Sequence, residues 1–149
     1  MTGTPGDPPD DGPTPAAAAR VRTLADRLAR FDRVVEVGIG RRPAVAALLA
    51  DRGVAVTATD LRERPVPDGV TFVRDDVTDP DPSVYRDAGA VYALNAPPEL
   101  HRPLQAVARE AGAALAFTTL GGDPPAVDAR PEPVPGDTLF WAREPTREG

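Results

Sequence analysis

The chain has 149 residues, room for one hydrophobic core but not for a separate substrate domain. It has no cysteine, which excludes disulfides, thiolate metal sites and a cysteine nucleophile, and no apolar run near the roughly 20 residues of a membrane span. All 17 basic residues are arginine, set against 23 acids for a net charge of −6, a balance that speaks against generic nucleic-acid binding.

The N-terminal residues lack the basic-then-apolar pattern of a signal peptide, so a soluble cytoplasmic protein is expected. Its acids are mostly aspartate, as on salt-adapted surfaces, where high ionic strength screens self-repulsion. High-GC codon usage would produce the same bias. Residues 1–15 (MTGTPGDPPDDGPTP) have almost nothing to bury and read as a disordered tail. From Ala16 to Phe31 the residues Val21, Leu24, Leu28 and Phe31 recur at helical spacing between arginines, which predicts an amphipathic helix. Val34–Val37 is a β-branched run that stops at Gly38. Pro43–Asp51 follows as a helix, with Gly53 just past its end. Strands are expected at Val54–Thr59, Val70–Val73, Val91–Leu94, Ala113–Thr118 and Leu139–Ala142, with a helix over Glu99–Ala111. Asp75–Ala88 is short and proline-rich, with room for a single helical turn.

Strands that alternate with helices imply a Rossmann-like α/β domain over residues 16–143, with a flexible end at 144–149. Its sheet should be mostly parallel, with helices on both faces, the first strand central, and the Leu139 strand antiparallel near an edge. Ligands of such sheets sit where the strands end and the helices begin.

The first of these turns is the most informative. In Glu36-Val-Gly38-Ile-Gly40-Arg-Arg-Pro43 two glycines let the chain turn tightly and admit a ligand near the backbone, and the helix that follows favours an anion. Asp60 stands 20 residues past the second glycine, at the tip of the second strand, where its carboxylate can accept both ribose hydroxyls. A tight turn with a helix-capping aspartate would have the same sequence. The dinucleotide fingerprint fails at Pro43, where glycine or alanine is needed, and a dehydrogenase would require a second domain.

Glu36-x-Gly38-x-Gly40 instead resembles the first motif of class I methyltransferases, whose third glycine would fall at Arg42. The resemblance implies S-adenosylmethionine (SAM) as ligand, with Glu36 orienting the turn and reaching the ligand's amino group. Arg42 narrows the pocket there or pairs with a carboxylate or phosphate; Arg41 and Arg42 could equally be solvated surface. Phe72-Val-Arg-Asp75-Asp76-Val77 is similar to the third motif and gives Asp76 the adenine amino group. The acids from Asp75 to Asp81 lack the ordered spacing of a calcium loop, and no metal site is expected. Leu94-Asn95-Ala96-Pro97-Pro98 resembles the Asn-Pro-Pro motif of amino-group methyltransferases, with Ala96 interrupting it, which makes Asn95 a candidate catalytic residue. His101, the only histidine, is expected on the surface of a helix, with a role as base the alternative. Phe140 and Trp141 are expected in the core.

Taken whole, VVEVGIGRRPAVAALLADRGVAVTATDL, then YALNAPPEL and a late TLFWA strand, resembles archaeal members of uncharacterised protein family 0146 from about Ala16 to Arg143. That resemblance implies a Rossmann-like, methyltransferase-related fold and leaves the chemistry open. Two functions stay in view, a small SAM-dependent methyltransferase and a noncatalytic nucleotide- or SAM-binding module that senses a small-molecule ligand or supports a partner.

Overall fold

The computed structural model describes residues 14–144; most of the N-terminal tail and residues 145–149 of the C-terminal end lie outside it. Thr14 caps the first helix, α1 (Pro15–Leu28), its side chain accepting from Ala17 N at 3.0 Å. The expected tail lies almost wholly outside the described residues. Leu24, Ala25 and Leu28 form the buried stripe of α1. Phe31 lies beyond the helix end and packs near Trp141, with ring centroids 6.5 Å apart.

The elements that follow are β1 (Arg33–Val37), α2 (Ala44–Asp51), β2 (Ala55–Asp60), β3 (Val70–Arg74) and the single turn α3 (Pro82–Tyr85). After them come β4 (Ala90–Ala93), a 3₁₀ turn (Pro98–Leu100) running into α4 (His101–Ala111), β5 (Ala114–Phe117), β6 (Arg130–Val134) and β7 (Asp137–Arg143). Pro43 precedes α2 as its cap residue rather than opening its first turn.

The seven strands form one sheet in the order β3-β2-β1-β4-β5-β7-β6. The first five are parallel to one another, while β7 runs antiparallel to both β5 and β6. Alternate residues feed two cores. Val34, Tyr92 and Ala116 face α1 and α2, whereas Val35, Val91 and Phe117 face α3 and α4. This is a Rossmann-like, mostly parallel sheet covered on both sides. Among the described residues no helix is long and apolar enough to cross a membrane.

One strand went unforeseen. The sequence Arg130-Pro131-Glu132-Pro133-Val134 discourages a strand assignment, yet it forms the outermost strand β6. An edge strand needs only half of its backbone groups for pairing, so two prolines in alternation can turn their missing donors away from β7. Glu132 ties this edge inward by accepting from Trp141 Nε1 at 2.9 Å and by pairing with Arg27 of α1. Burial would raise its carboxyl pKa, but these bonds outweigh burial and lower it.

Candidate functional site

β1 lies inside the sheet, so its carboxyl end opens onto a crevice between neighbouring strands. There the chain turns through Gly38 (φ 74°) and Gly40 (φ 55°), a left-handed conformation that side-chain-bearing residues rarely adopt. A Cβ at Gly38 would meet no atom within 4 Å, so the missing side chain leaves open space above the turn. The backbone donors of the turn point the other way. Gly38 N and Ile39 N both donate to Thr59 O, at 2.9 and 3.0 Å, and Gly40 N donates to Asp60 Oδ2 at 2.8 Å.

Asp60 thus holds the turn as well as ending β2. Its Oδ1 accepts from Arg62 N at 3.4 Å, and Arg64 Nε lies 3.6 Å from Oδ2. That Nε is buried and has no hydrogen-bond partner.

Above the turn lies a cavity of about 400 Å³. Its walls bring together Glu36, Gly38, Gly40 and Asn95, four of the residues singled out in the sequence, with Arg41, Arg42, Arg62 and Arg64. The last two were not singled out in the sequence, where the run Leu61-Arg62-Glu63-Arg64 directly after Asp60 was the available signal. Among the described residues neither Arg41 nor Arg42 has a carboxylate within 4.0 Å.

Glu36 is buried, and its Oε1 accepts from Tyr92 Oη at 2.7 Å. Burial pushes its carboxyl pKa up to about 8, with the tyrosine bond pulling weakly the other way, so it is mostly protonated at neutral pH. Tyr92 is raised well above its ordinary value, first by burial and then by Glu36. These two residues are 56 apart in sequence and meet because β1 and β4 pair with Glu36 beside Tyr92.

Asn95 closes the same cavity from β4. It sits at φ 57°, its N–H donates to Thr118 Oγ1 at 2.8 Å, and the next N–H donates to Thr118 O. Asparagine tolerates this conformation better than most residues. The residue is thereby fixed against the end of β5.

Asp76 lies apart from this group. With Leu61, Arg74 and Asp75 it borders a shallower depression past the ends of β2 and β3. Its Oδ1 accepts from Thr78 Oγ1 and Thr78 N at 2.7 and 2.9 Å, and these two bonds lower its pKa. Two other acids of the loop are also occupied with local structure. Asp81 caps α3, while Asp75 accepts from Tyr85 Oη and from Asp81 N. Among the described residues no group of three His, Asp or Glu side chains could hold a metal ion.

A second cavity, of about 380 Å³, adjoins the first and shares Arg42, Leu94 and Asn95 with it. Its other walls come from α1, from Ala44 and Val45 at the start of α2, from the end of β5, and from the β6–β7 turn. The sequence placed the helix N-terminus and the glycine turn at one ligand. In the fold the turn borders the first cavity, and the start of α2 borders the second.

His101 corrects a second expectation, since it is fully buried rather than on the surface. Its Nδ1 accepts from Ala126 N at 2.9 Å, its Nε2 lies 3.0 Å from Ala96 O, and its ring stacks on Phe117 at 4.2 Å. The first contact requires an unprotonated Nδ1, so Nε2 carries the proton and donates it to Ala96 O. Both nitrogens are used, which leaves no base. Trp141 is buried as expected and Phe140 is partly buried.

The mostly parallel sheet, the glycine turn inside it and the cavity above that turn define a Rossmann-like α/β domain. More narrowly, the chain belongs to the Uncharacterised protein family UPF0146, whose model matches residues 19–144. A UPF0146 protein of Halobacterium salinarum is 56% identical over 123 residues, 82% of this chain and 95% of its own. Among solved structures, an RNA methyltransferase from Salinibacter ruber in complex with S-adenosyl-L-homocysteine aligns with a TM-score of 0.58 and 20% identity. That alignment covers 93% of this chain and 97% of the other. Magnesium protoporphyrin IX methyltransferase from Synechocystis PCC 6803, with bound SAM, aligns with a TM-score of 0.61 and 13% identity over 89% and 85% of the two chains. At these identities the likeness concerns the fold.

Proposed function

We propose that this protein binds SAM above the glycine turn and transfers its methyl group to a small acceptor lodged in the adjoining cavity. The observation that carries the reading is the junction of the two cavities at Leu94 and Asn95, directly beside the open space over Gly38. The shared fold with methyltransferases whose structures hold SAM or S-adenosyl-L-homocysteine supports it.

The residues present suit such a ligand. Gly38 leaves room for it, Asp60 Oδ1 is weakly engaged and can accept from a ribose hydroxyl, and Leu61 and Asp76 flank the place for an adenine ring. At the amino-acid end Glu36 would face the ammonium group. The bound sulfonium would supply an electrophilic methyl group. The chain's part is then to orient the acceptor, exclude water and let a proton leave. Asn95 is the positioning candidate, held by Thr118 and facing both cavities. It is a poor base, so the acceptor must arrive as a competent nucleophile. The same reading places the protein in the cytoplasm of a salt-adapted archaeon, in line with the lysine-free acidic sequence and the Halobacterium relative.

The four arginines around the first cavity favour a second reading, a noncatalytic module that binds a nucleotide through its phosphates. A thermal-shift screen with SAM, S-adenosylhomocysteine, NAD, ATP and GTP separates the two, since a ligand at a hundredfold excess over Kd adds about 2.7 kcal/mol of apparent stability. Asp60→Ala should weaken SAM at least about tenfold in calorimetry, a loss of about 1.4 kcal/mol. Arg42→Ala should be mild towards SAM and severe towards a nucleotide. Methyl transfer from labelled SAM into a cell extract tests catalysis. Stabilisation by ATP and GTP alone would overturn the methyltransferase reading.

A further inference from the structure

We infer that the second cavity is an anion site, which grips a phosphate or carboxylate of the methyl acceptor between Arg20 and Arg42 at the first turn of α2. The assignment of that anion to an acceptor rests on the methyltransferase reading above; the anion site itself does not.

Three observations converge there. The first is charge. Arg20 comes from α1 and Arg42 from the turn before α2, and both line the cavity. Among the described residues neither has a carboxylate within 4.0 Å, in a chain where acids outnumber bases 23 to 17. The carboxylate in the lining is Asp137, whose Oδ1 already accepts from Thr138 N at 2.7 Å.

The second is the start of α2. Ala44 and Val45 border the cavity, and no side chain caps that helix. The first N–H groups of an uncapped helix lack partners and favour negative charge. An anion between the two guanidinium groups would supply the missing acceptor.

The third is placement of the remainder of such a molecule. Val21, Leu24 and Leu94 give the cavity an apolar floor, and Asn95 stands at its opening to the first cavity. An acceptor anchored by its anion at one end would thus bring its other end to the glycine-turn cavity. Arg20 is held close to the β6–β7 turn, since a Cβ on Gly136 would lie 3.1 Å from Arg20 Nη1. One charge-assisted contact would position a small molecule poorly; two arginines from different elements fix it in orientation.

The test uses the full chain, saturated with S-adenosylhomocysteine, and amide NMR at constant ionic strength in potassium chloride. Inorganic phosphate and malonate are titrated separately. Saturable shifts at Ala44, Val45 and Gly136 are expected, weakened at least tenfold in Arg20→Ala and partly retained in Arg20→Lys, with unchanged S-adenosylhomocysteine affinity. A response to phosphate alone identifies a phosphorylated acceptor, and a response to malonate alone a carboxylate. Linear shifts spread over the surface arginines, or saturable binding that Arg20→Ala leaves intact, would overturn the anion site. Saturable phosphate binding by a protein that never takes up S-adenosylhomocysteine would keep the site and overturn the methyltransferase reading.

Discussion

The glycine-turn cavity and the His101 node lie at the same end of the sheet and are built from opposite principles. At His101 every polar atom of the ring has a partner and the ring is stacked on Phe117. Around the cavity Arg64 Nε is buried without a partner, Glu36 is kept protonated by burial, and Arg41 and Arg42 face open space. The residue type most often drawn into catalysis serves here as a cross-link, and residues of ordinary reputation surround the space a ligand can enter. What separates them is whether their hydrogen-bonding capacity is already spent.

Removing the ring from the saturated node should have the largest effect. His101→Ala loses a buried aromatic stack and two hydrogen bonds, so a destabilisation of about 3–5 kcal/mol is expected in chemical denaturation. Ligand affinity of the folded fraction should stay as in the parent chain. A stable variant that binds no ligand would reverse the contrast between the two regions.

The next effect concerns Glu36. Its carboxyl is raised from 4.5 in the unfolded chain to about 8 in the fold, so the native state holds a proton that the unfolded state loses. Stability from this group is therefore complete below about pH 4.5 and declines as pH rises through about 8. The loss is on the order of a few kcal/mol at about 1.4 kcal/mol per unit. Glu36→Gln keeps an acceptor for Tyr92 and removes the ionisation. Melting curves from pH 5 to 9 should fall for the parent chain and run flatter for the variant; parallel curves would mean that Glu36 is charged in the fold.

A smaller change is expected from salt. Raising potassium chloride from dilute buffer to molar concentration screens the net charge of −6 and should raise Tm steadily by a few degrees. The increment should be equal in His101→Ala, because the node is buried and satisfied. A flat or falling Tm in the parent chain would leave codon usage as the source of the acidic composition.

What the sequence determined by itself was local. Apolar periodicity marked α1, and short apolar or β-branched runs marked six of the strands, because most of the sheet is covered on both faces and its strands read as continuous runs. The glycines of the first turn announced its left-handed backbone, and the acid 20 residues on proved to bond Gly40 N. Contacts between distant segments were decided by the tertiary structure. Glu36 met Tyr92 through the β1–β4 pairing, β6 existed only because it had β7 to pair with at an edge, and His101 was buried by the chain around Ala126. The two cavities meet at Asn95 for the same reason, since their walls come from helices and strand ends far apart in the chain. Period and backbone conformation are properties of neighbours in sequence. Burial, hydrogen-bond saturation and shared cavity walls are properties of neighbours in space.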